Sequence, residues 1–264
     1  MLKENAINNL KVYNAGMKKS CLDKIFFIDK VDSTVFVDFG YADGTMIKFL
    51  NSLFPEYSYI EYDISSEMIE TASNNCEVEI NKNIKLFSNW GDVVDEISTH
   101  NKEKITLVMN SIIHEVYSYG TKSDVEETWK RVFYDDIFDY IIIRDMISSS
   151  SIDRTSDIND VAKVLREGNS KYIRDFEMNW GSIEQNKNLV HFLLKYRYTD
   201  NWEREVKENY FPIAKEELLA TIPRNYNIEF YEYFTLPYLK LLVKRDFGID
   251  LKDKTHIKLI LRKN

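Results

Sequence analysis

Val35-Phe-Val-Asp38-Phe-Gly40-Tyr-Ala42-Asp-Gly44-Thr45 is the stretch whose reading decides the fold. Its opening, Thr34 to Phe39, is a short and nearly continuous apolar run, as expected of a strand buried on both faces. Two glycines four positions apart follow, and then Met46, Phe49, Leu50 and Leu53 recur at helical spacing until Pro55 stops the helix. Glycine lets the backbone turn sharply and lets a ligand approach the main chain. The helix start offers free N–H groups to a polar ligand. The spacing of this pair stands out because the chain has only 8 glycines in 264 residues, where about 7% is usual. A second strand, Tyr57 to Tyr62, ends at Asp63, a carboxylate placed to reach the same crevice and hold a ribose diol.

Outward from this core the alternation continues. Ser65 to Asn74 reads as a helix, with Met68, Ile69 and Ala72 apolar. Ile84 to Ser88 and Ile105 to Met109 read as a third and a fourth strand, and Tyr140 to Arg144 as a fifth. Between the last two, Ser123 to Phe138 reads as an amphipathic helix, opened by a Ser123–Glu126 capping-box pattern and carrying Val125, Trp129, Val132, Phe133 and Ile137 on one face. Upstream, residues 3–30 read as helical, with Leu10, Tyr13, Met17 and Cys21 on one face. Residues 151–212 read as mostly helical and rich in charge and aromatics. Lys215 to Ala220 follows as a short helix, and Ile228 to Phe234 and Thr255 to Leu261 as closing strands joined through a helix at Tyr238 to Arg245. The fold class expected is α/β: a doubly wound, mostly parallel, seven-stranded sheet with an antiparallel last strand and a helical insertion after the fifth strand. The expected organisation is a helical cap (1–31), a core (32–150), the insertion (151–212) and the end of the core with its strand pair (213–264).

Composition bounds the function. With 44% hydrophobic and 30% charged residues the chain is neither disordered nor rich in membrane spans. The polar N-terminal stretch lacks the apolar run of a signal peptide, which leads to the expectation of a cytoplasmic protein. Cys21 and Cys76 match no metal or redox spacing and are expected to be reduced. His100, His191 and His256 show no ligand spacing either, so no metal site is expected. The net charge of −8 argues against general nucleic-acid binding, although it is unevenly spread. Residues 1–31 carry +3 and 237–264 carry +5, which leaves −16 on the body between them. Basic ends on an acidic body suit an anionic substrate or are ordinary solvated faces.

The glycine spacing also raises a dinucleotide enzyme. A pyrophosphate needs G-x-G-x-x-G, whereas here the glycines stand four apart with Asp43 between them, a charge opposed to pyrophosphate. Asp38-x-Gly40-x-Ala42-x-Gly44 after a strand instead resembles the first motif of class I S-adenosylmethionine (SAM)-dependent methyltransferases, and Tyr62-Asp-Ile-Ser-Ser-Glu-Met68 resembles their second. Leu107-Val-Met-Asn110-Ser111 with His114-Glu115 is similar to the segment leaving their fourth strand. The resemblance covers roughly residues 34–146, with Ala42 standing where glycine is commoner. It implies SAM as cofactor, S-adenosylhomocysteine as product, and cofactor contacts from Asp38, Gly40, Tyr41, Ala42, Gly44, Asp63, Ile64, Met68, Asn110 and Ser111. For the adenine ring Asn89, Trp90 and Asp92 all remain candidates, Asn89 and Trp90 foremost.

Methyl transfer is an in-line displacement in which orientation supplies much of the acceleration, with a general base added where the acceptor carries a proton. His114, just past the fourth strand, is the expected base, with Glu115 and Tyr117 beside it; the alternative is a buried structural histidine. Tyr13, Lys24, Tyr119, Arg144 and Tyr198 are the expected substrate contacts, with Arg144 open to a structural pairing with Asp145 and the aromatic segment around Tyr198 open to plain helix packing. The expected function is a SAM-dependent methyltransferase acting on a small-molecule acceptor. An RNA or other nucleic-acid methyltransferase and a non-catalytic SAM-binding regulator are the alternatives. Asn110-Ser-Ile-Ile lacks the Asn/Asp-Pro-Pro-aromatic pattern of many amino-methylating nucleic-acid enzymes. No membrane partner is expected, and the sequence leaves the oligomeric state open.

Overall fold

The computed structural model describes residues 21–264. Seven strands form one sheet: β1 (Val35–Phe39), β2 (Ser58–Tyr62), β3 (Ile84–Phe87), β4 (Ile105–Asn110), β5 (Tyr140–Met146), β6 (Tyr226–Phe234) and β7 (His256–Lys263). Their order across the sheet is β3-β2-β1-β4-β5-β7-β6. β1 to β5 are parallel, while β7 runs antiparallel to both β5 and β6. This is the class I, Rossmann-like arrangement: doubly wound and mostly parallel, with its antiparallel strand near one end. The chain reverses its direction of travel across the sheet between β1 and β4, and in open α/β sheets the crevice for a ligand opens at the carboxyl ends of the strands flanking such a point.

The helices are α1 (Cys21–Lys24), α2 (Thr45–Leu53), α3 (Ser66–Cys76), α4 (Trp90–Ser98), α5 (Ile113–Tyr119), α6 (Lys122–Phe133), α7 (Ile158–Glu167), α8 (Ser170–Trp180), α9 (Asn186–Lys195), α10 (Trp202–Glu205), α11 (Lys215–Thr221) and α12 (Pro237–Phe247). The strands are apolar throughout because both faces are covered. Val37, Ile60, Leu107 and Ile143 pack beneath α4 and α6, whereas Phe36, Tyr59, Val108 and Ile142 pack beneath α2 and α3. A third apolar cluster joins α7, α8 and α9 to α12, centred on Val164, Phe176, Phe192 and Val243.

Several expectations shift against this frame. The helix expected from Ser123 starts at Lys122, and its capping box is made by Thr121 and Asp124, not by Ser123 and Glu126. The Thr121 hydroxyl accepts from the Asp124 N–H, and the Asp124 carboxylate accepts from the Thr121 N–H at 2.9 Å. That helix ends at Phe133, five residues early, and Asp136 then adopts a left-handed φ of 59° as the chain turns toward β5. Two helices, α4 and α5, were not expected at all; Trp90, Val93 and Ile97 bury one face of α4, and Ile113 and Val116 bury α5. Of the helix expected over 3–30, residues 1–20, including Leu10, Tyr13 and Met17, lie outside the described residues; α1 and a series of turns follow. Among the described residues no helix is long and apolar enough to cross a membrane.

Candidate active site

The turn after β1 is left-handed at three positions: Gly40 (φ 82°), Ala42 (φ 53°) and Gly44 (φ 72°). Glycine adopts such a conformation freely, while alanine at Ala42 pays roughly 1–2 kcal/mol. Packing reinforces the choice. A Cβ on Gly40 would stand 2.6 Å from the Ile112 Cδ1, and one on Gly44 would stand 2.7 Å from the Cys76 Sγ. Gly40 therefore brings the turn against the start of α5, and Gly44 brings it against α3. Asp63 ties the end of β2 to the same turn: its carboxylate accepts from the Ala42 N–H at 3.3 Å and the Ser65 N–H at 2.9 Å.

Lys24, Asp38, Gly40, Tyr41, Asp43, Thr45, Met46 and Asn110 line a cleft of about 340 Å³, its open mouth included. The first turn of α2 faces this cleft, and its N-cap, Gly44, supplies no side-chain acceptor to the helix start. Asn110 donates to the Lys24 carbonyl at 3.5 Å and contacts the Met46 sulfur at 3.1 Å. The Asp38 Oδ1, the Asn110 Oδ1 and the Tyr41 hydroxyl are buried without a hydrogen-bond partner. Buried polar atoms are nearly always satisfied, so three orphans around one cleft make it the candidate ligand site. Burial pushes the Asp38 carboxyl up to about 7, against the pull of the Lys24 ammonium and with the added push of Asp63. On the adjacent strand Glu61, in register with Asp38, is completely buried, and burial with repulsion from Asp38 and Asp63 raises it well above the carboxylate range. The orphans are acceptors or a hydroxyl, a set that fits a ligand with a cationic or N–H-bearing end. Asp43, buried at the heart of the turn, accepts from the Thr45 N–H at 3.1 Å and sets a carboxylate where a pyrophosphate would need to lie.

The far side of the crevice is built differently. His114, at the start of α5, is buried, with its Nδ1 2.7 Å from the Asp145 Oδ1 and its Nε2 4.0 Å from the Glu208 Oε2. Asp145 also accepts from the Ile113 N–H at 2.6 Å. Burial lowers the affinity of the imidazole for a proton, but Asp145, Glu208 and Glu115 more than offset it and lift the ring to about 9. The carboxylates around it thus favour the protonated form of His114, which opposes a role as proton acceptor. Glu208 also accepts from Tyr119 at 2.9 Å and pairs with the Arg204 Nε at 2.9 Å, and Arg204 reaches the Glu115 Oε1 at 3.1 Å.

The remaining sequence candidates are dispersed. Ser111 turns in a left-handed φ of 58°, and its hydroxyl accepts from Arg144 at 2.8 Å. The rest of the Arg144 guanidinium is bound to Asp23 at 2.8 and 2.9 Å, so Arg144 pairs with α1 instead of Asp145. Tyr198 is half-buried and hydrogen-bonded to Tyr238. Tyr117 accepts from Trp129 at 3.0 Å and so faces α6. Trp90 packs against Phe39, Tyr62 and Phe138 in the core beneath α4. Asn89 caps α4, accepting from the Gly91 N–H at 2.7 Å, and Asp92 is exposed in the first turn of that helix. Met68 is buried, donating through its N–H to the Ser65 hydroxyl, and Ile64 is exposed. Tyr13 lies outside the described residues. Thr45 and Met46 line the cleft but were absent from the sequence candidates, although the signal was there, in their place directly after Gly44. Arg204 and Glu208 had no local signal. Among the described residues no group of three or more His, Cys, Asp or Glu is placed to hold a metal ion.

No family model matches the chain. No curated protein matches it in sequence. Solved structures do align with it. The methyltransferase domain of bacterial CtHen1 is 13% identical with a TM-score of 0.41, over 97% of this chain and 100% of that one. The plantazolicin methyltransferase BamL, in complex with a triazolic desmethylPZN analog and SAH, is 12% identical with a TM-score of 0.44, over 97% and 88%. Human N-acetylserotonin methyltransferase, in complex with SAM, is 12% identical with a TM-score of 0.48, over 97% of this chain and 55% of that one.

Proposed function

We propose that the protein is a SAM-dependent methyltransferase whose acceptor is a small molecule. One observation carries this reading: buried, unpartnered acceptors on Asp38 and Asn110 face a cleft closed by a left-handed glycine turn and a helix N-terminus. In this reading Asp38 and Asn110 receive the amino-acid end of the cofactor, the Gly40–Gly44 turn passes along it, and Asp63 receives the ribose hydroxyls. Tyr41, Ala42, Ile64, Met68 and Ser111 border it, and Asn89 or Trp90 sits toward the adenine. SAM supplies an activated methyl group on a sulfonium. The chain's own task is then alignment: a fixed turn and two strand ends hold the donor, and α5 with the 151–212 segment holds the acceptor side. Lys24 and Asp38 set the charge of the cleft between them, and Asp43 disfavours a dinucleotide.

A small acceptor is favoured over nucleic acid by the net charge of −8, and three basic residues of the C-terminal strand are engaged in ion pairs. Lys258 pairs with Asp23 and Glu232, Arg262 with Glu229, and Lys263 with Asp136. Isothermal calorimetry with SAM, S-adenosylhomocysteine and NAD tests the reading. Heat with the two sulfur ligands and none with NAD is expected, and no heat with either sulfur ligand overturns it. Asp63→Ala and Gly40→Val are each expected to weaken SAM binding about tenfold or more, since a charge-assisted hydrogen bond contributes about 1.5–3 kcal/mol.

A further inference from the structure

We propose that Glu115 is the general base for a methyl acceptor whose nucleophile carries a proton, a hydroxyl or an amine, and that Arg204 is the positioning residue that holds it. The inference rests on the methyltransferase reading and extends it to the acceptor side of the same crevice.

Glu115 lies in the first turn of α5, the helix whose start borders the Gly40 turn. Ile112, three residues before it, packs on Gly40 of the turn, and Glu115 lies near enough to Asp63 for the two charges to repel. Its side chain is 27% exposed, whereas those of His114 and Glu208 behind it are 5% and 3% exposed. One oxygen, Oε1, is held by Arg204 at 3.1 Å. No described residue hydrogen-bonds the other oxygen, Oε2, so it is available to an acceptor. Arg204 is itself fixed by Glu208 at 2.9 Å, and Glu208 is fixed by Tyr119 at 2.9 Å. The Ser118 hydroxyl accepts from the Asn209 N–H at 2.8 Å, a further tie between α5 and the same segment. A carboxylate pinned at one oxygen keeps a single orientation, the requirement for a base that acts at hydrogen-bond distance.

The charge balance agrees with the geometry. Burial and Glu208 push the Glu115 carboxyl up, Arg204 and His114 hold it down, and Asp63 adds a further push, leaving it at about 7. Of the other titratable groups at this corner, His114 is committed to Asp145, and Glu208 to Arg204 and Tyr119. In the step, the acceptor's O–H or N–H bond breaks and its proton passes to the Glu115 Oε2. The electron pair left on oxygen or nitrogen forms the bond to the methyl carbon as the carbon–sulfur bond breaks, and that bond's pair stays on sulfur. The sulfonium becomes a neutral thioether, and Glu115 becomes a neutral acid.

The test uses the full chain labelled with [5-13C]glutamate, Glu115 being assigned by its absence from Glu115→Gln. Its carboxyl is expected to titrate near neutrality, to move to higher pH in Arg204→Gln, and to return toward wild type in Arg204→Lys, because a cation at this place stabilises the ionised form. In parallel, tritiated methyl transfer from SAM to a panel of small phenols, alcohols and primary amines is followed from pH 5.5 to 9. The rate is expected to rise through the NMR midpoint and to fall about 10²–10⁴-fold in Glu115→Gln. In Arg204→Gln the rising limb should move to higher pH with SAM affinity unchanged, a shift that loss of structure alone would not give. A Glu115 that titrates in the ordinary carboxylate range and ignores Arg204→Gln overturns the proposal, as does transfer undiminished in Glu115→Gln. SAM binding without transfer to any panel member overturns the acceptor class. Failure of SAM to bind sinks the methyltransferase reading instead, and the titration still decides whether Arg204 governs Glu115.

Discussion

The two sides of the crevice treat buried charge in opposite ways. On the β1 side, Asp38 and Asn110 each keep a buried oxygen without a partner. On the α5 side, His114 is enclosed by Asp145 and Glu208, and Arg204 bridges Glu208 to Glu115. An unpaired buried carboxyl works against folding, and its cost is offset only when a ligand arrives. A paired buried ion holds structure, and breaking the pair leaves an uncompensated charge. The first pattern suits a surface that waits for a ligand, and the second suits side chains held in fixed positions, His114 by Asp145 and Glu115 by Arg204.

The strongest way to break this contrast is His114→Ala. It strands the buried Asp145 without its cation, while Glu208 keeps Arg204, and is expected to cost about 3–5 kcal/mol in urea unfolding, with calorimetric SAM affinity retained. Its pH dependence has a definite sign. The folded imidazole titrates at about 9 against an ordinary 6.5, so its contribution is complete below 6.5 and is lost as pH rises through about 9. The difference in stability between wild type and the alanine variant should shrink across that window, and a difference constant from pH 6 to 10 would refute the pairing.

Asp38→Asn is the mirror experiment. The folded carboxyl is raised to about 7 from 3.8, so its ionisation weakens the fold increasingly between those values and by a constant amount above. The asparagine variant should therefore match wild type near pH 4 and exceed it in stability by on the order of 1–3 kcal/mol at pH 8, while SAM binding is lost. A variant less stable at pH 8, measured by thermal or urea unfolding, would place Asp38 with the side chains held in fixed positions. The smallest effect sharpens the turn itself. Ala42→Gly relieves a left-handed alanine and should stabilise by up to about 1 kcal/mol in the same assay, less the entropy glycine adds to the unfolded chain.

Much of the fold was legible because its causes are local. Apolar runs too continuous for a one-faced strand, such as Ile141 to Ile143, announced a sheet covered on both sides, and Pro55 ended a helix by removing a donor. Errors arose where two local signals competed. Thr121 and Asp124 lie two residues ahead of Ser123 and Glu126, and both pairs satisfy a capping pattern; the N–H of Asp124 chose between them. At the site, the turn and Asp63 were readable from spacing. The Arg204–Glu115 contact spans 89 residues and was not.

The sequence by itself determined most of the alternation of strands and helices, the glycine turn after β1 and the carboxylate beside it, because backbone preference and periodicity act over a few residues. Only the tertiary structure decided which buried charges are paired. Asp38 in β1 and His114 and Glu115 in α5 look alike in sequence as ionisable residues within or just past a strand. Their roles separate only when packing brings Arg204, Glu208 and Asp145 to one side of the crevice and leaves the other side open.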